Sequence, residues 1–331
     1  MLKYIIKRLL QSVLILLGVS LIIYALIRCM PVDFVTQKLS SITTTGAEAS
    51  QEMIDAMLEQ YGLMKDGEEV NIFQGYLSWL QKLLKFDFGT SFKYELPVIE
   101  VIKNHMGVSF AVAAIATIFE FMIAIPLGVT AATHQYSLRD YIVTVLVMIG
   151  ISLPSFFFGQ MLKNLFAIQL GWFPASGLID ASKNLTGIPL LMDQLWHLFI
   201  PILTVVILSI GGRMRMTRTN MLEVLNSDYI RTARAKGLKE KVVIYKHAFR
   251  NTMIPLVTSL AGLLPGLFSG AIITEQVFGL PGIGNMAFEA MFVADIPFIM
   301  GYNMFLALLS VIGVLLADLM YAVVDPRVKL G

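Results

Sequence analysis

Six apolar stretches, each about as long as a membrane crossing, constrain this chain more than any other feature. They are Leu9–Cys29, Val108–Thr133, Tyr141–Ile168, Trp196–Met216, Thr252–Thr274 and Phe298–Val324. A bilayer takes about 20 consecutive apolar residues of helix, and within it each backbone amide must be satisfied inside the helix. The expected fold class is therefore an all-α membrane protein with six transmembrane helices. Of the 331 residues, 56% are hydrophobic and 15% charged, against about 25% charged in a soluble domain. The first stretch follows Lys3, Lys7 and Arg8, as a signal peptide would. It is longer than a signal h-region and no small-residue cleavage site comes after it, so it reads as an uncleaved helix. The single Cys29 excludes an internal disulfide and reads as a packing residue.

Basic residues orient the spans. With the N-terminus inside, Lys3, Lys7, Arg8, Arg139, the ten Lys and Arg from Arg213 to Arg250, Arg327 and Lys329 all fall on the inner side. Most acids fall outside, and both termini are placed in the cytoplasm. The net charge of +2 points to no nucleic-acid partner. The expected organisation is a first helix over 1–29, an extracytoplasmic helical segment over 30–107, and a five-helix core over 108–331.

In the outer segment, Gln51–Leu63 has helical spacing, and Ile72–Phe86 sets Ile72, Tyr76, Trp79, Leu80 and Leu83 near one face. Pro97 is placed to start a third short helix, Val98–His105. These helices are interfacial or partner-facing, or they pack on the outer ends of the spans. Phe88–Phe92 reads as a turn. Ser152-Leu153-Pro154-Ser155 is a candidate kink, either beside a transport pathway or in plain packing. Gln169–Leu195 has no legible conformation. Arg213, Arg215 and Arg218 are expected to snorkel or to meet lipid phosphates. Glu120 and Asp318 lie within apolar spans, where an acid is a functional candidate. With Glu275, Ser152, Pro154 and Ser155 they form the candidate pathway or gating set.

The largest inner loop, 226–251, carries Arg231, Arg234, Lys236, Lys239, Lys241, Lys246 and Arg250. Ser227 or Asp228 can cap a helix. Tyr229, Ile230 and Ala233 are expected on one face of it, and Gly237 is placed to end it in a left-handed conformation. Small Ala233 and Ala235 allow close approach to the backbone. A second helix is expected from near Lys239, with Leu238, Val242, Tyr245 and Phe249 as its stripe. Anionic lipid would explain the charges of this loop, but not its small residues and glycine.

Ala233-Arg234-Ala235-Lys236-Gly237, followed by His247-Ala248-Phe249-Arg250-Asn251, resembles the cytoplasmic loop motif of ABC importer permeases. The form is that of the dipeptide, oligopeptide and nickel branch. Tyr61-Gly62-Leu63, Phe88-Gly89-Thr90-Ser91-Phe92, the run Thr274–Gly284 and the run Asp318–Arg327 resemble signatures of the same branch, in the same order. The long segment after the first span is similar to the B-type subunit. The resemblance implies a MetI-like transmembrane domain whose loop docks on a cytoplasmic ATPase. The docking residues implied are Asp228, Tyr229, Ile230, Arg231, Thr232, Ala233, Arg234, Ala235, Lys236 and Gly237, and Ala233→Asp would uncouple hydrolysis from transport. It also implies a second, C-type permease subunit, two ATP-binding subunits that hold ATP and Mg, and an extracytoplasmic substrate-binding protein.

The chain itself has no G-x-x-x-x-G-K-[ST] phosphate loop, so it is expected to be a permease subunit and not an enzyme, with no cofactor of its own. His105, His134, His197 and His247 are scattered, and no metal site is assigned. Peptides are the substrate that the resemblance favours. A nickel or metal chelate, or glutathione, would use a similar subunit. An ion-coupled secondary transporter, built on Glu120 and Asp318, is the alternative from another class.

Overall fold

The structure is a computed structural model that describes residues 2–28, 64–65, 68–261, 263–293 and 295–324. Side chains are described outside 2–5, 27–28, 64–65, 68–69, 254, 257–261 and 317–324. Cys29 and the expected helix Gln51–Leu63 lie outside the described residues, as does Tyr61-Gly62-Leu63.

The chain begins with α1 (Leu2–Arg28) and a two-residue antiparallel ladder, Met64–Lys65 on Glu68–Glu69. Next come α2 (Ile72–Leu84), α3 (Val98–Thr133), α4 (Leu138–Ser152) and α5 (Ser155–Leu162), which widens into a π-helix over Lys163–Gln169. After a 3-10 turn at Ala181–Lys183 come α6 (Ile188–Leu225), α7 (Asp228–Ala235) and α8 (Glu240–Val242). A second π-helix, Val243–Ala248, leads into α9 (Phe249–Ala261), then α10 (Leu263–Ser269), α11 (Ile272–Phe278), α12 (Ile283–Phe292) and α13 (Ile296–Val324).

Four stretches are long and apolar enough to cross a membrane unbroken: Ile6–Leu26, Val98–Thr133, Ile188–Leu225 and Ile296–Leu316. Two more candidates are bent pairs: Leu138–Ser152 with Ser155–Gln169, at 100°, and Leu263–Phe278 with Ile283–Phe292, at 74°. Counting each pair as one crossing gives six.

The third expected span is thus broken at the expected kink. A residue before proline is pushed from the helical region, and Leu153 is extended at φ −85° and ψ 131°. Pro154 then heads α5, and its carbonyl accepts the Phe158 amide at 3.0 Å. The fifth expected span is also interrupted. Helix α10 stops at Ser269, and Gly270, at φ 75°, turns the chain into α11. The expected short helix Val98–His105 is instead the opening of the 36-residue α3.

The chain divides into two compact units. The first holds the described residues of Met1–Met106 and Met286–Leu315. Its core is Tyr24, Trp79, Ile296, Met300 and Met304. Here α2 packs on α1: the Tyr24 and Trp79 rings lie 5.8 Å apart, and the Ser20 and Tyr76 hydroxyls meet at 2.9 Å. The stripe expected on Ile72–Phe86 therefore packs on a span, though Ile72 itself is exposed.

The second unit holds Gly107–Asn285 and the described residues of Leu316–Lys329. Its axis is α6, whose 38 residues span about 57 Å at 1.5 Å per residue. One core cluster gathers Val112, Phe158, Leu198, Ile202 and Phe278; another joins Val129, Ala132, Met221, Ile230, Ala233, Val243 and Ala248.

Candidate functional site: the inner loop and the broken spans

The inner loop folds as helix, glycine turn, helix. Ser227 stands at the N-cap, but its hydroxyl makes no capping bond and donates to the Val224 carbonyl at 2.6 Å. The Ser227 carbonyl starts α7 by accepting the amides of Ile230 and Arg231, and Asp228 in the first turn suits the helix dipole. Gly237, at φ 73°, makes the left-handed turn that a side chain would strain. Across this turn Arg234 holds Glu240, Nη2 to Oε1 at 2.8 Å. That hydrogen bond lowers the Glu240 carboxyl below its ordinary range and raises the Arg234 guanidinium.

The two faces of α7 have different surroundings. Ile230 is 0% and Ala233 7% exposed, both packed on α3, α6 and the second π-helix. Tyr229 is 47% exposed, so it does not share their face. Asp228, Arg231, Thr232, Arg234, Ala235, Lys236 and Gly237 are exposed or half-exposed with it. Of the expected stripe, Leu238, Val242 and Tyr245 are also exposed while Phe249 packs on the buried cluster, and the fully buried positions here are Val243 and Ala248. The π-helix Val243–Ala248 adds a residue between Val242 and Phe249, a shift that an i, i+4 pattern cannot register.

The gating candidates separate into different roles. Glu275 is fully buried in the second unit. Its carboxylate accepts the Ser109 hydroxyl at 2.7 Å and the amides of Ala271 at 3.1 Å and Asn285 at 2.9 Å. Ser109 in turn accepts the Ile283 amide at 2.8 Å. Glu275 thereby ties α3 to both sides of the bend after α11. Nearby, Lys163 of the first π-helix donates to the Val277 carbonyl at 2.8 Å. Ser152 is exposed or half-exposed and bonds its own helix at the Met148 carbonyl. Pro154 stands at the α4–α5 break, and Ser155 begins α5 beside it. The Asp318 side chain lies outside the described residues.

Glu120 is paired within the chain: Arg213 Nε reaches its Oε1 at 3.0 Å. Arg218 grips Asp140 with two bonds of 2.9 Å. Of the three arginines expected to snorkel or to meet lipid phosphates, two meet acids of the chain, and Arg215 lies against the Met148 sulfur at 3.3 Å. The sequence signal for these pairs is present in unlike charges at the inner ends of apolar spans. Their matching needs the packing of α6 between α3 and α4. Among the described residues, no group of three or more His, Cys, Asp or Glu could hold a metal ion.

A family model described as "Binding-protein-dependent transport system inner membrane component" matches residues 124–330. The oligopeptide transport system permease protein AppB of Bacillus subtilis is 37% identical over 330 residues, covering 99% of this chain and 100% of that protein. The dipeptide transport system permease protein DppB of Escherichia coli K12 is 33% identical, with 99% of each chain covered. Among solved structures, the inward-facing MetNI methionine ABC transporter matches with a TM-score of 0.53 at 17% identity. That match covers 69% of this chain and 97% of the other, and it is a likeness of fold. A family match over most of the chain and end-to-end relatives lead to one placement: this protein belongs to the inner membrane components of binding-protein-dependent transport systems.

Proposed function

We propose that this chain is the B-type permease subunit of an ATP-driven importer of oligopeptides or dipeptides. It works beside a second, C-type permease subunit. Two ATPase subunits bind ATP and Mg in the cytoplasm, and an extracytoplasmic binding protein delivers the peptide. Both termini lie inside, which puts 226–251 on the ATPase side. Peptide is favoured as substrate by the names of the end-to-end relatives.

One observation carries the reading: α7 is a short helix welded to the chain's own core by Ile230 and Ala233, with its other face outward. A docking element needs this combination. The welded face transmits force, and the outward face, with Tyr229, Thr232 and Ala235, offers contact area free of bulky neighbours. The apolar residues Leu238, Val242 and Tyr245 extend that surface. An ion-coupled carrier built on Glu120 is disfavoured, since Arg213 already occupies that carboxylate.

The test is cross-linking in the assembled importer. In a Cys29→Ser background, Ala235→Cys should cross-link to an ATPase subunit, and reconstituted vesicles should take up a labelled tripeptide only with ATP inside. A cysteine at 235 that reacts with lipid-phase reagents and never with an ATPase would defeat the proposal.

A further inference from the structure

We infer that Asp140 with Arg218, and Glu120 with Arg213, are positioning residues that carry the movement of α7 into the membrane-spanning helices α3 and α4. This rests on α7 as the ATPase contact and identifies the path through which that contact acts.

Helix α6 runs almost directly into α7, with only Asn226 and Ser227 between them. Its inner half is held on two sides. Toward α3, Arg213 bonds Glu120 and lies 4.4 Å from the Phe121 ring. Below that pair, Gly128 lets the two backbones close up: a Cβ there would stand 2.6 Å from Thr217 Cβ and 2.8 Å from the Met214 carbonyl oxygen. Lower still, Val129 and Ala132 share a buried cluster with Met221, Ile230 and Ala233, so α3 reaches α7 through continuous packing. Toward α4, Arg218 forks onto both oxygens of Asp140, whose side chain is 6% exposed and also accepts the Tyr136 amide at 3.1 Å. Gly211 then admits Ile151, whose side chain would lie 2.3 Å from a Cβ at that position.

Apolar faces resist separation but permit sliding. A bidentate guanidinium–carboxylate pair fixes orientation as well. Such a buried pair adds little stability over an apolar replacement, and its best-attested use is to set register. Two pairs, the forked Arg218–Asp140 toward α4 and the Arg213–Glu120 pair toward α3, sit five residues apart along α6 on different flanks and lock its rotation and sliding to α3 and α4. The inner halves of α3, α4 and α6 then move with α7 as one body.

The test uses the full importer with its ATPase subunits in proteoliposomes. In a Cys29→Ser background, Gln160→Cys beyond the α4–α5 break reports through its labelling rate with a membrane-impermeant maleimide. ATP with vanadate should change that rate severalfold in the parent. Asp140→Asn should still bind ATPase and hydrolyse ATP, yet lose the change. Asp140→Arg combined with Arg218→Asp should recover it, and Glu120→Gln should act as Asp140→Asn does. The inference falls if both single variants respond as the parent does, or if they lose ATPase binding, which would make the pairs mere supports of α7. A parent that binds no ATPase would instead overturn the role of α7 itself, and the transmission path with it.

Discussion

The carboxylate of Asp295 accepts the hydroxyl of Ser91 at 2.5 Å, across 204 residues of sequence. The same carboxylate accepts the Lys93 amide at 3.1 Å and caps α13 through the Phe298 amide at 3.2 Å. Lys93 pairs with Glu289, and the Tyr94 hydroxyl donates to the Met286 carbonyl at 2.9 Å. Burial, then Glu289 and Asp295, push the Tyr94 phenol well above its usual range. The turn expected over Phe88–Phe92 falls instead at Phe92–Tyr94, and with Ser91 it forms a clasp on the start of α13 within the first unit.

Loss of the clasp should be costly. Hydrogen bonds to a charged group contribute about 1.5–3 kcal/mol each. Asp295→Ala should therefore destabilise by about 3 kcal/mol or more and Ser91→Ala by about half as much, with Asp295→Asn between them. Thermal unfolding of the purified protein in detergent reads the order, and an Asp295→Asn variant as stable as the parent would exclude a charge-based clasp.

Glycine positions around Glu275 should be unequal to glycines elsewhere. A Cβ on Gly282 would lie 2.4 Å from Glu275 Oε2 and 2.6 Å from the Ser109 hydroxyl, whereas one on Gly107 meets nothing within 4 Å. Gly282→Ala should cost about 1–3 kcal/mol as overpacking, and Gly107→Ala in helix α3 should gain up to about 1 kcal/mol. Melting temperatures should move in opposite directions.

At α7, the buried and exposed alanines should also differ. Ala233→Asp places a charge in an apolar cluster, and the mutant chain should lose stability and accumulate poorly in membranes. Ala235→Asp should leave the fold intact and weaken ATPase binding. Membrane abundance and copurified ATPase, measured for both, separate the two effects. Equal abundance of Ala233→Asp and the parent would contradict the buried packing of α7.

The Arg234–Glu240 pair gives a pH dependence of known sign. The folded Glu240 carboxyl titrates below its ordinary value of 4.5, so its contribution is complete above that value and is lost as pH falls through the folded one. Both partners are about half exposed, which limits the contribution to about 1 kcal/mol or less. Hydrogen exchange over Asp228–Gly237 should be faster in Glu240→Gln than in the parent at pH 7, and the gap should close as the buffer is acidified below 4.5.

The crossings are legible in the sequence because each apolar run exceeds what a soluble helix needs. Gly237 is legible because few residues other than glycine take φ 73°. The breaks are less so. Pro154 marks a place but not an angle, since the same residue can bend a helix or begin a new one. Glu275 and Glu120 stand out as acids among apolar neighbours, yet their partners, Ser109 and Arg213, are 166 and 93 residues away. Only tertiary packing brings such pairs together. Ala233 is ambiguous for a related reason: a small residue suits close approach, but the sequence does not say whether the approaching surface is foreign or the chain's own.

The π-helix Val243–Ala248 acts as a phase shifter between α8 and α9. One inserted residue turns the downstream helix by about 100°, so Tyr245 stands exposed while Thr252 and Leu256 of α9 are buried. No flexible joint is required at the interface. The side that α9 turns to the core is set by residue count, and a one-residue deletion here would re-aim it without altering a single apolar side chain.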